Sequence, residues 1–173
     1  EWERIAKEQN YLIGQYGNKI ESSVGTTLTA MLFIKDKYLI AHVGDSRVYS
    51  ITSSVNQLTE DQTFIAREIK AGRMTSEQAK VHPKRNQLLQ CIGASRNVEP
   101  QMILGKTVKN SVYMFCSDGF RHVLTNEEIY ENFNFDNLND EQAMERNSRY
   151  LIDLVKSRNE KDNITVALIK CIG

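Results

Sequence analysis

The chain has 173 residues, 40% of them hydrophobic and 25% charged, which is ordinary composition for one globular domain with a substantial core. Lys and Arg together equal Asp and Glu at 22 each, so the net charge predicts neither nucleic acid nor a membrane as a partner. No stretch approaches the roughly 20 apolar residues that cross a bilayer, and three widely spaced cysteines indicate reduced thiols. We therefore expect a soluble, cytoplasmic protein.

The first part of the chain predicts one helix followed by three strands. Apolar residues recur at a helical period over residues 2–18, which indicates an amphipathic helix that packs on a core. Two β-branched and apolar runs at 24–34 and 38–43 flank a short charged turn and predict a hairpin. A third run at 48–51 follows a tight turn that carries Asp45. We expect these strands to form an antiparallel meander.

The middle of the chain changes to a helical pattern. A helix is predicted within residues 61–72, where a glycine stops it. Thr75 with Gln78 three residues later resembles a capping box, which predicts the start of a second short helix. The segment up to Pro83 is small, polar and basic, so we expect an excursion from the sheet.

The last part of the chain predicts further strands and two more helices. Thr125 with Glu128 forms another capping box, which predicts a helix that ends near Phe133. The other predicted elements are strands at 101–108, 112–116 and 164–169 and a helix at 140–156. Strands that come as a block, with helices at both ends and in the excursion, favour an α+β fold, a sandwich of two sheets with outer helices.

Three aspartates share one local pattern. Asp45, Asp118 and Asp162 each stand beside Gly or Asn at the tip of a strongly apolar strand. The run before Asp118, Val112–Cys116, shows no polar alternation, which is typical of a strand buried on both faces. Strand tips in a sandwich cluster, and clustered carboxylates are stabilised by a hard cation such as Mg²⁺ or Mn²⁺. The pattern predicts metal-assisted hydrolysis, and three unrelated turn aspartates are the alternative.

A series of short motifs resembles a known family. In chain order they are Gly25-Thr26-Thr27, Gly44-Asp45-Ser46-Arg47, His82-Pro83-Lys84-Arg85-Asn86, Gly93, Glu99-Pro100, Cys116-Ser117-Asp118-Gly119 and Asp162-Asn163-Ile164-Thr165. Over nearly the whole chain, their order and spacing resemble bacterial serine/threonine phosphatases of the PP2C (PPM) family. The resemblance implies a four-layer α/β/β/α sandwich of two mostly antiparallel sheets and a dinuclear manganese or magnesium centre. It also implies hydrolysis of phosphoserine and phosphothreonine in proteins by a metal-activated water.

The resemblance also implies roles for individual residues. Asp118 and Asp162 match core metal ligands, and Asp45 matches a ligand of the third ion of bacterial members. Residues 1–173 would form a single phosphatase domain, with 61–84 as a flap-like insertion that shapes substrate access. The implied partners are proteins phosphorylated on Ser or Thr and a cognate Ser/Thr kinase.

An earlier part of the family pattern is missing. The resemblance implies a phosphate-binding arginine, an acidic strand and an Asp-Gly-rich turn with a bridging aspartate before the first helix, whereas this sequence starts at that helix. The amino-terminal strands are therefore expected to be absent. We expect a complete parent to be a phosphatase and this chain alone to bind metal weakly and to catalyse poorly. Two alternatives to a phosphatase remain. The chain is a catalytically inert, phosphatase-like binding or regulatory module, or its open sheet edges pair with another chain.

Four further side chains have alternative interpretations. His122 stands where some family members carry another aspartate, and it is either a ligand of the third ion or a partly exposed helix histidine. Lys84 and Arg85 form a basic patch that either meets a phosphopeptide or is only solvated. Cys116 lies five positions before Arg121, not the six of a thiol phosphatase loop, and its apolar strand offers nothing to lower the thiol pKa.

Overall fold

The computed structural model describes residues 1–172 and forms most of the predicted elements. The helices are α1 (Trp2–Lys19), α2 (Phe64–Lys70), α3 (Ser76–Lys80), α4 (Asp118–Arg121), α5 (Asn126–Phe133) and α6 (Glu141–Ser157), with a 3-10 turn at Phe135–Asn137. The strands are β1 (Leu28–Ile34), β2 (Lys37–Val43), β3 (Arg47–Ile51), β4 (Val55–Gln57), β5 (Gln101–Lys106), β6 (Ser111–Cys116) and β7 (Val166–Cys171). The short elements β4 and α4 were not predicted from the sequence.

The strands form two sheets, and the predicted meander is wrong. One sheet has the order β1-β2-β5 and the other has the order β4-β3-β6-β7. Successive strands β2 and β3 therefore belong to different sheets. Gly44, between them, has a φ of 111°, and a Cβ there would lie 2.4 Å from Thr27 Cγ2, so this turn requires glycine. β3 pairs with β4 and β6, both antiparallel.

Residues 1–32, 39–46 and 60–104 form the first of two compact units. Asn10 of α1 joins the helix to the loop before β5, because its Nδ2 donates to the Ser95 carbonyl at 2.9 Å and its Oδ1 accepts from the Gly93 N–H at 2.7 Å. The apolar core of this unit gathers side chains from the helix, the strands and that loop: Ala6, Ile13, Leu28, Val43, Ile92 and Val98. Apolar burial and a two-sided amide contact thus fix α1 in place.

Residues 33–38, 47–59 and those from 105 onward form the second unit. Its central strand is β6, which pairs with β3 on one side and β7 on the other, and all of its residues except the half-buried Phe115 are buried. This confirms the buried strand predicted from the unbroken apolar run. The buried core around it consists of Tyr49, Ile51, Val112, Met114, Cys116, Phe120, Ile129, Phe133, Leu138 and Leu151. Each large apolar side chain buried here contributes about 1.5–3 kcal/mol to folding.

Side-chain caps start four of the helices. The hydroxyl of Thr63 caps α2, the carboxylate of Asp140 caps α6, and both predicted capping boxes are confirmed, at Thr75 for α3 and at Thr125 for α5. Each cap satisfies a backbone N–H that has no partner within its helix and contributes about 1 kcal/mol. Among residues 1–172, no helix combines the length and the apolar character needed to cross a membrane.

Candidate metal centre

The carboxyl end of β6 and the amino end of β7 lie at one edge of their sheet. The two strands are antiparallel, and Cys116 pairs with Val166. Beyond that pair, the N–H of Ser117 donates to the Thr165 carbonyl at 3.0 Å, and the Thr165 N–H donates to Ser117 Oγ, also at 3.0 Å. Ser117 Oγ in turn donates to the carbonyl of Asn163 at 3.0 Å. The two segments that follow and precede the strands are therefore joined at their bases.

Asp118 and Asp162 come together at this edge. A Cβ on Gly119 would lie 2.6 Å from the carbonyl oxygen of Asn163 and 3.0 Å from Cβ of Asp162, so only glycine allows this close approach. In each aspartate, Oδ1 accepts a hydrogen bond from the next backbone N–H, at 2.8 Å for Asp118 and 2.7 Å for Asp162. The structure therefore places Asp162 against the backbone of Gly119, next to Asp118, and a backbone N–H binds Oδ1 of each carboxylate.

Glu160 and His122 flank this pair, and no motif in the sequence pointed to Glu160. Glu160 Oε1 accepts from the backbone N–H groups of Lys161 and Asp162 at 2.7 and 3.0 Å. The hydrogen bond from Asp162, with those from Lys161 and His122, holds the pKa of the Glu160 carboxyl below its ordinary value, although burial raises it. Glu160 thus folds the loop around its own carboxylate and positions Asp162.

His122 follows α4 and stands between two carboxylates. Its Nε2 lies 3.9 Å from Asp118 Oδ2, and its Nδ1 lies 3.5 Å from Glu160 Oε2. The side chain is 38% exposed, in agreement with a partly exposed histidine at a helix end. Because the two carboxylates face opposite nitrogens of the ring, one ion cannot bind all three groups.

The donor chemistry of the pair suits a hard divalent cation, but the number of donors is small. Carboxylate oxygens are the preferred ligands of Mg²⁺ and Mn²⁺. Within residues 1–172, however, no three His, Cys, Asp or Glu side chains lie close enough together to hold a metal ion. Two carboxylates are therefore fewer donors than such an ion needs.

The third predicted ligand, Asp45, belongs to the first unit. It is half-buried in the turn between β2 and β3, and hydrogen bonds fix that turn. Gln62 donates its N–H to the Gly44 carbonyl at 2.8 Å, and its Oε1 accepts from the Gly44 N–H at 2.9 Å. The hydroxyls of Thr27 and Ser46 also lie 2.9 Å apart. Asp45 is thus presented by a rigid turn.

A buried histidine beneath this turn was missed by the sequence analysis. His42 is completely buried; its Nε2 lies 3.0 Å from the Gly44 carbonyl, and its Nδ1 lies 2.9 Å from Thr29 Oγ1. Since a carbonyl can only accept, Nε2 donates and the neutral ring accepts from the Thr29 hydroxyl at Nδ1. Burial lowers the pKa of His42, against smaller opposite effects of the Gly44 hydrogen bond and the Asp61 charge. No pattern in the sequence marks a histidine whose role is to hold a backbone carbonyl.

Comparison with known proteins gives relatives of one kind. A protein phosphatase 2C-type protein of Streptococcus pyogenes is 31% identical over 147 residues, which are 84% of this chain and 58% of the relative. The solved serine/threonine phosphatase of S. agalactiae is 31% identical, with a TM-score of 0.85 over 96% of this chain and 67% of the other. No protein-family model matches the sequence.

A further solved structure bears on the metal. The catalytic domain of the serine/threonine protein phosphatase PstP, in complex with two manganese ions, is 27% identical, with a TM-score of 0.76 over 95% of this chain and 67% of that domain. These likenesses confirm the predicted fold class of two antiparallel sheets flanked by helices. The chain spans 58% of the length of the S. pyogenes relative and about two thirds of these solved chains.

Proposed function

This chain belongs to the PP2C-type (PPM) family of bacterial serine/threonine phosphatases, and from this membership we propose that it serves the metal-dependent hydrolysis of phosphoserine and phosphothreonine in proteins. The observation that supports the proposal best is the meeting of Asp118 and Asp162 at the edge of β6 and β7. Carboxylates carried on two adjoining segments are suited to share one hard divalent cation.

Asp118 and Asp162 would hold Mn²⁺ or Mg²⁺ through their carboxylate oxygens. Such a cation, when bound, makes water nucleophilic near neutral pH and offsets the negative charge of a phosphate ester. The chain itself supplies orientation: Ser117 joins the two segments, and Glu160 fixes the N–H of Asp162. Family resemblance adds Asp45 as a ligand of a third ion, at a turn that Gln62 holds.

We further propose that the 173 residues alone bind metal weakly and turn over slowly. In the described part of the chain, residues 1–172, no three His, Cys, Asp or Glu side chains form a group that could hold a metal ion, whereas a dinuclear centre needs several such ligands. The same donor count supports a second candidate, a phosphatase-like module that binds phosphoproteins or a regulator without hydrolysing them. In either case we place residues 1–173 in one phosphatase domain, with 61–84 as its flap and a Ser/Thr kinase as the opposing enzyme.

Manganese binding tests the site without requiring turnover. Titration of the chain with Mn²⁺, followed by electron paramagnetic resonance of the free ion, should show an affinity that falls by more than about tenfold in Asp118→Asn and in Asp162→Asn. Asp136→Asn is the matched control, because Asp136 is exposed in the 3-10 turn and outside the site. Unchanged binding in both site variants would overturn the assignment of the ligands.

Hydrolysis tests the activity. Phosphate release from a phosphothreonine peptide should require Mn²⁺ or Mg²⁺, cease in EDTA, and be lost in both site variants but not in Asp136→Asn. Peptide binding without any phosphate release at saturating Mn²⁺ would decide for the inert module. Release that persists in EDTA would overturn the metal-dependent mechanism.

A further inference from the structure

The ring of Phe64, the first residue of α2, is surrounded by nitrogen-bearing side chains. The imidazole of His82 stacks on the ring with centroids 5.3 Å apart and an interplanar angle of 23°. The guanidinium carbon of Arg67 lies 5.3 Å from the ring centroid, and Lys84 Nζ lies 5.0 Å from it. We call Phe64, Arg67, His82 and Lys84 the Phe64 cluster. One aromatic ring thus gathers two permanent cations and a histidine at the surface of the first unit.

Backbone hydrogen bonds bring the two ends of this cluster together. The N–H of Phe64 donates to the Gln87 carbonyl at 2.9 Å, and the Leu89 N–H donates to the Gln62 carbonyl at 2.7 Å. Within the second segment, the Lys84 N–H donates to Nδ1 of His82 at 3.1 Å, and the Arg85 N–H donates to the His82 carbonyl at 3.0 Å. The cluster is therefore a built feature and not a chance meeting of mobile side chains.

The surroundings of the cluster carry an excess of positive charge. Residues 61–85 contain six Lys and Arg but only three Asp and Glu, although the whole chain is balanced. Glu68 faces both Arg67 and Arg73, at 3.0 and 2.7 Å, and the hydrogen bond from Arg73 leads in lowering its pKa to about 2. Two cations therefore share one carboxylate, and a net positive charge remains.

Lys84 and Arg85 add charge that nothing in the described chain neutralises. Both side chains are exposed, and among residues 1–172 neither has a carboxylate within ion-pair distance. A cation over an aromatic ring near the surface gains only about 0.5–1 kcal/mol, which does not explain why Lys84 is held there without a counter-charge. Such a surface is complementary to a segment rich in carboxylates or phosphate.

We propose that the Phe64 cluster, together with Arg85, docks an acidic segment of the phosphoprotein substrate. This deepens the proposed function and rests on it for the identity of the partner. Arg67, Lys84 and Arg85 pair with Asp, Glu or phosphate groups of the segment, and the Phe64 ring holds Lys84 at the surface where it can do so. The chain then binds phosphopeptides rich in acidic residues more tightly than basic ones.

Peptide binding in EDTA tests the docking surface without any need for metal or turnover. Fluorescence anisotropy would be measured with two labelled phosphothreonine peptides, one flanked by glutamates and one by lysines, and with the unphosphorylated glutamate peptide. The chain should bind the glutamate-flanked phosphopeptide about tenfold more tightly than the lysine-flanked one. The unphosphorylated peptide separates the contribution of acidic side chains from that of phosphate.

Reversing the charges of Lys84 and Arg85 distinguishes a role in peptide binding from a role in folding, because only the former changes which peptide is preferred. Lys84→Glu combined with Arg85→Glu should reverse the preference, so that the lysine-flanked peptide binds more tightly. The matched control is Lys106→Glu combined with Lys109→Glu, two exposed lysines outside the cluster, which should leave the preference as it is. Phe64→Leu, with the cations retained, should reduce the preference about threefold.

Three outcomes would overturn the proposal. These are an unchanged preference after reversal of Lys84 and Arg85, an equal effect of the control pair, and equally tight binding of an oligonucleotide with the same number of negative charges. Because the measurement is made in EDTA, a failure of docking is distinct from a failure of hydrolysis. A chain that selects acidic peptides but never releases phosphate would keep the docking surface and refute the enzymatic function.

Discussion

Ser117 and Thr165 exchange two hydrogen bonds at the point where β6 ends and β7 begins. The Ser117 N–H donates to the Thr165 carbonyl, and the Thr165 N–H donates to Ser117 Oγ, each at 3.0 Å. In the second bond a side-chain oxygen takes the place of a backbone carbonyl. The two segments can therefore diverge between this bond and the aspartates. The spacing of Asp118 and Asp162 thus depends on one serine hydroxyl.

Replacement of this hydroxyl should loosen the candidate centre. Ser117→Ala leaves the Thr165 N–H without its acceptor and should cost about 1 kcal/mol of unfolding free energy in urea titrations. Mn²⁺ affinity should fall about tenfold, as expected for a residue that orients metal ligands. Ser157→Ala, which removes a hydroxyl bound to a carbonyl at the end of α6, is the control and should leave Mn²⁺ affinity unchanged. Equal Mn²⁺ affinity in the two variants would contradict the role of Ser117.

Gly119→Ala should separate the two aspartates. The new Cβ would meet the Asn163 carbonyl at 2.6 Å and Cβ of Asp162 at 3.0 Å, so one segment must move. We expect a loss of about 1–3 kcal/mol in stability and weaker Mn²⁺ binding. Ile129→Val, a change in the buried core with a cost of about 1 kcal/mol, controls for stability alone. Loss of Mn²⁺ affinity in Ile129→Val as large as in Gly119→Ala would show that stability, and not spacing, is responsible.

The local part of the site was predictable because the end of a strand has a recognisable sequence pattern. An unbroken apolar run followed by Asp-Gly places Asp118 at the end of a buried strand, and β6 confirms it. The capping boxes at Thr75 and Thr125 are equally local and were found for the same reason. Such features depend on residues only a few positions apart.

Features that depend on distant residues were not predictable. Glu160 lies beside His122, His42 contacts the Thr29 hydroxyl, and Phe64 stacks on His82, and each pair is separated by a long stretch of chain. None of these contacts changes the hydrophobic period or the turn chemistry on which sequence interpretation depends. The meander failed for a related reason, since β3 pairs with the distant strand β6 and not with β2.

The ion pair of Glu128 and Arg158 should make stability depend on pH in acid. Arg158 donates to both carboxylate oxygens of Glu128, and the Thr125 N–H donates to Oε2 at 2.9 Å. These hydrogen bonds, the one from Arg158 more than the one from Thr125, lower the pKa of Glu128 from 4.5 to about 2. Because the folded pKa is the lower one, the stabilisation is complete above pH 4.5 and is lost as the pH falls towards 2.

Glu128→Gln should therefore be less stable than the unmodified chain by about 1 kcal/mol at pH 7, a value reduced for the partial exposure of both side chains. The difference should shrink between pH 4.5 and pH 2, as followed by urea unfolding at several pH values. Glu145→Gln is the control, because Glu145 pairs with Arg149 on the exposed face of α6 and should contribute little. A constant difference across that range would show that Glu128 does not titrate as described.

His42 should produce a second acid dependence, at higher pH. Its neutral ring holds the Gly44 carbonyl and accepts from Thr29, and burial lowers its pKa below 6.5. Between 6.5 and the lower folded pKa, the unfolded chain binds a proton that the folded chain does not, so stability falls as the pH falls through this interval. In His42→Gln, whose amide can still donate to the Gly44 carbonyl, this part of the pH dependence should disappear. Thermal unfolding between pH 8 and pH 5 measures this dependence. The control is His82→Gln, which leaves the hydrogen bonds of His42 in place and should keep the dependence. The same slope in His42→Gln as in the unmodified chain would assign the effect to another group.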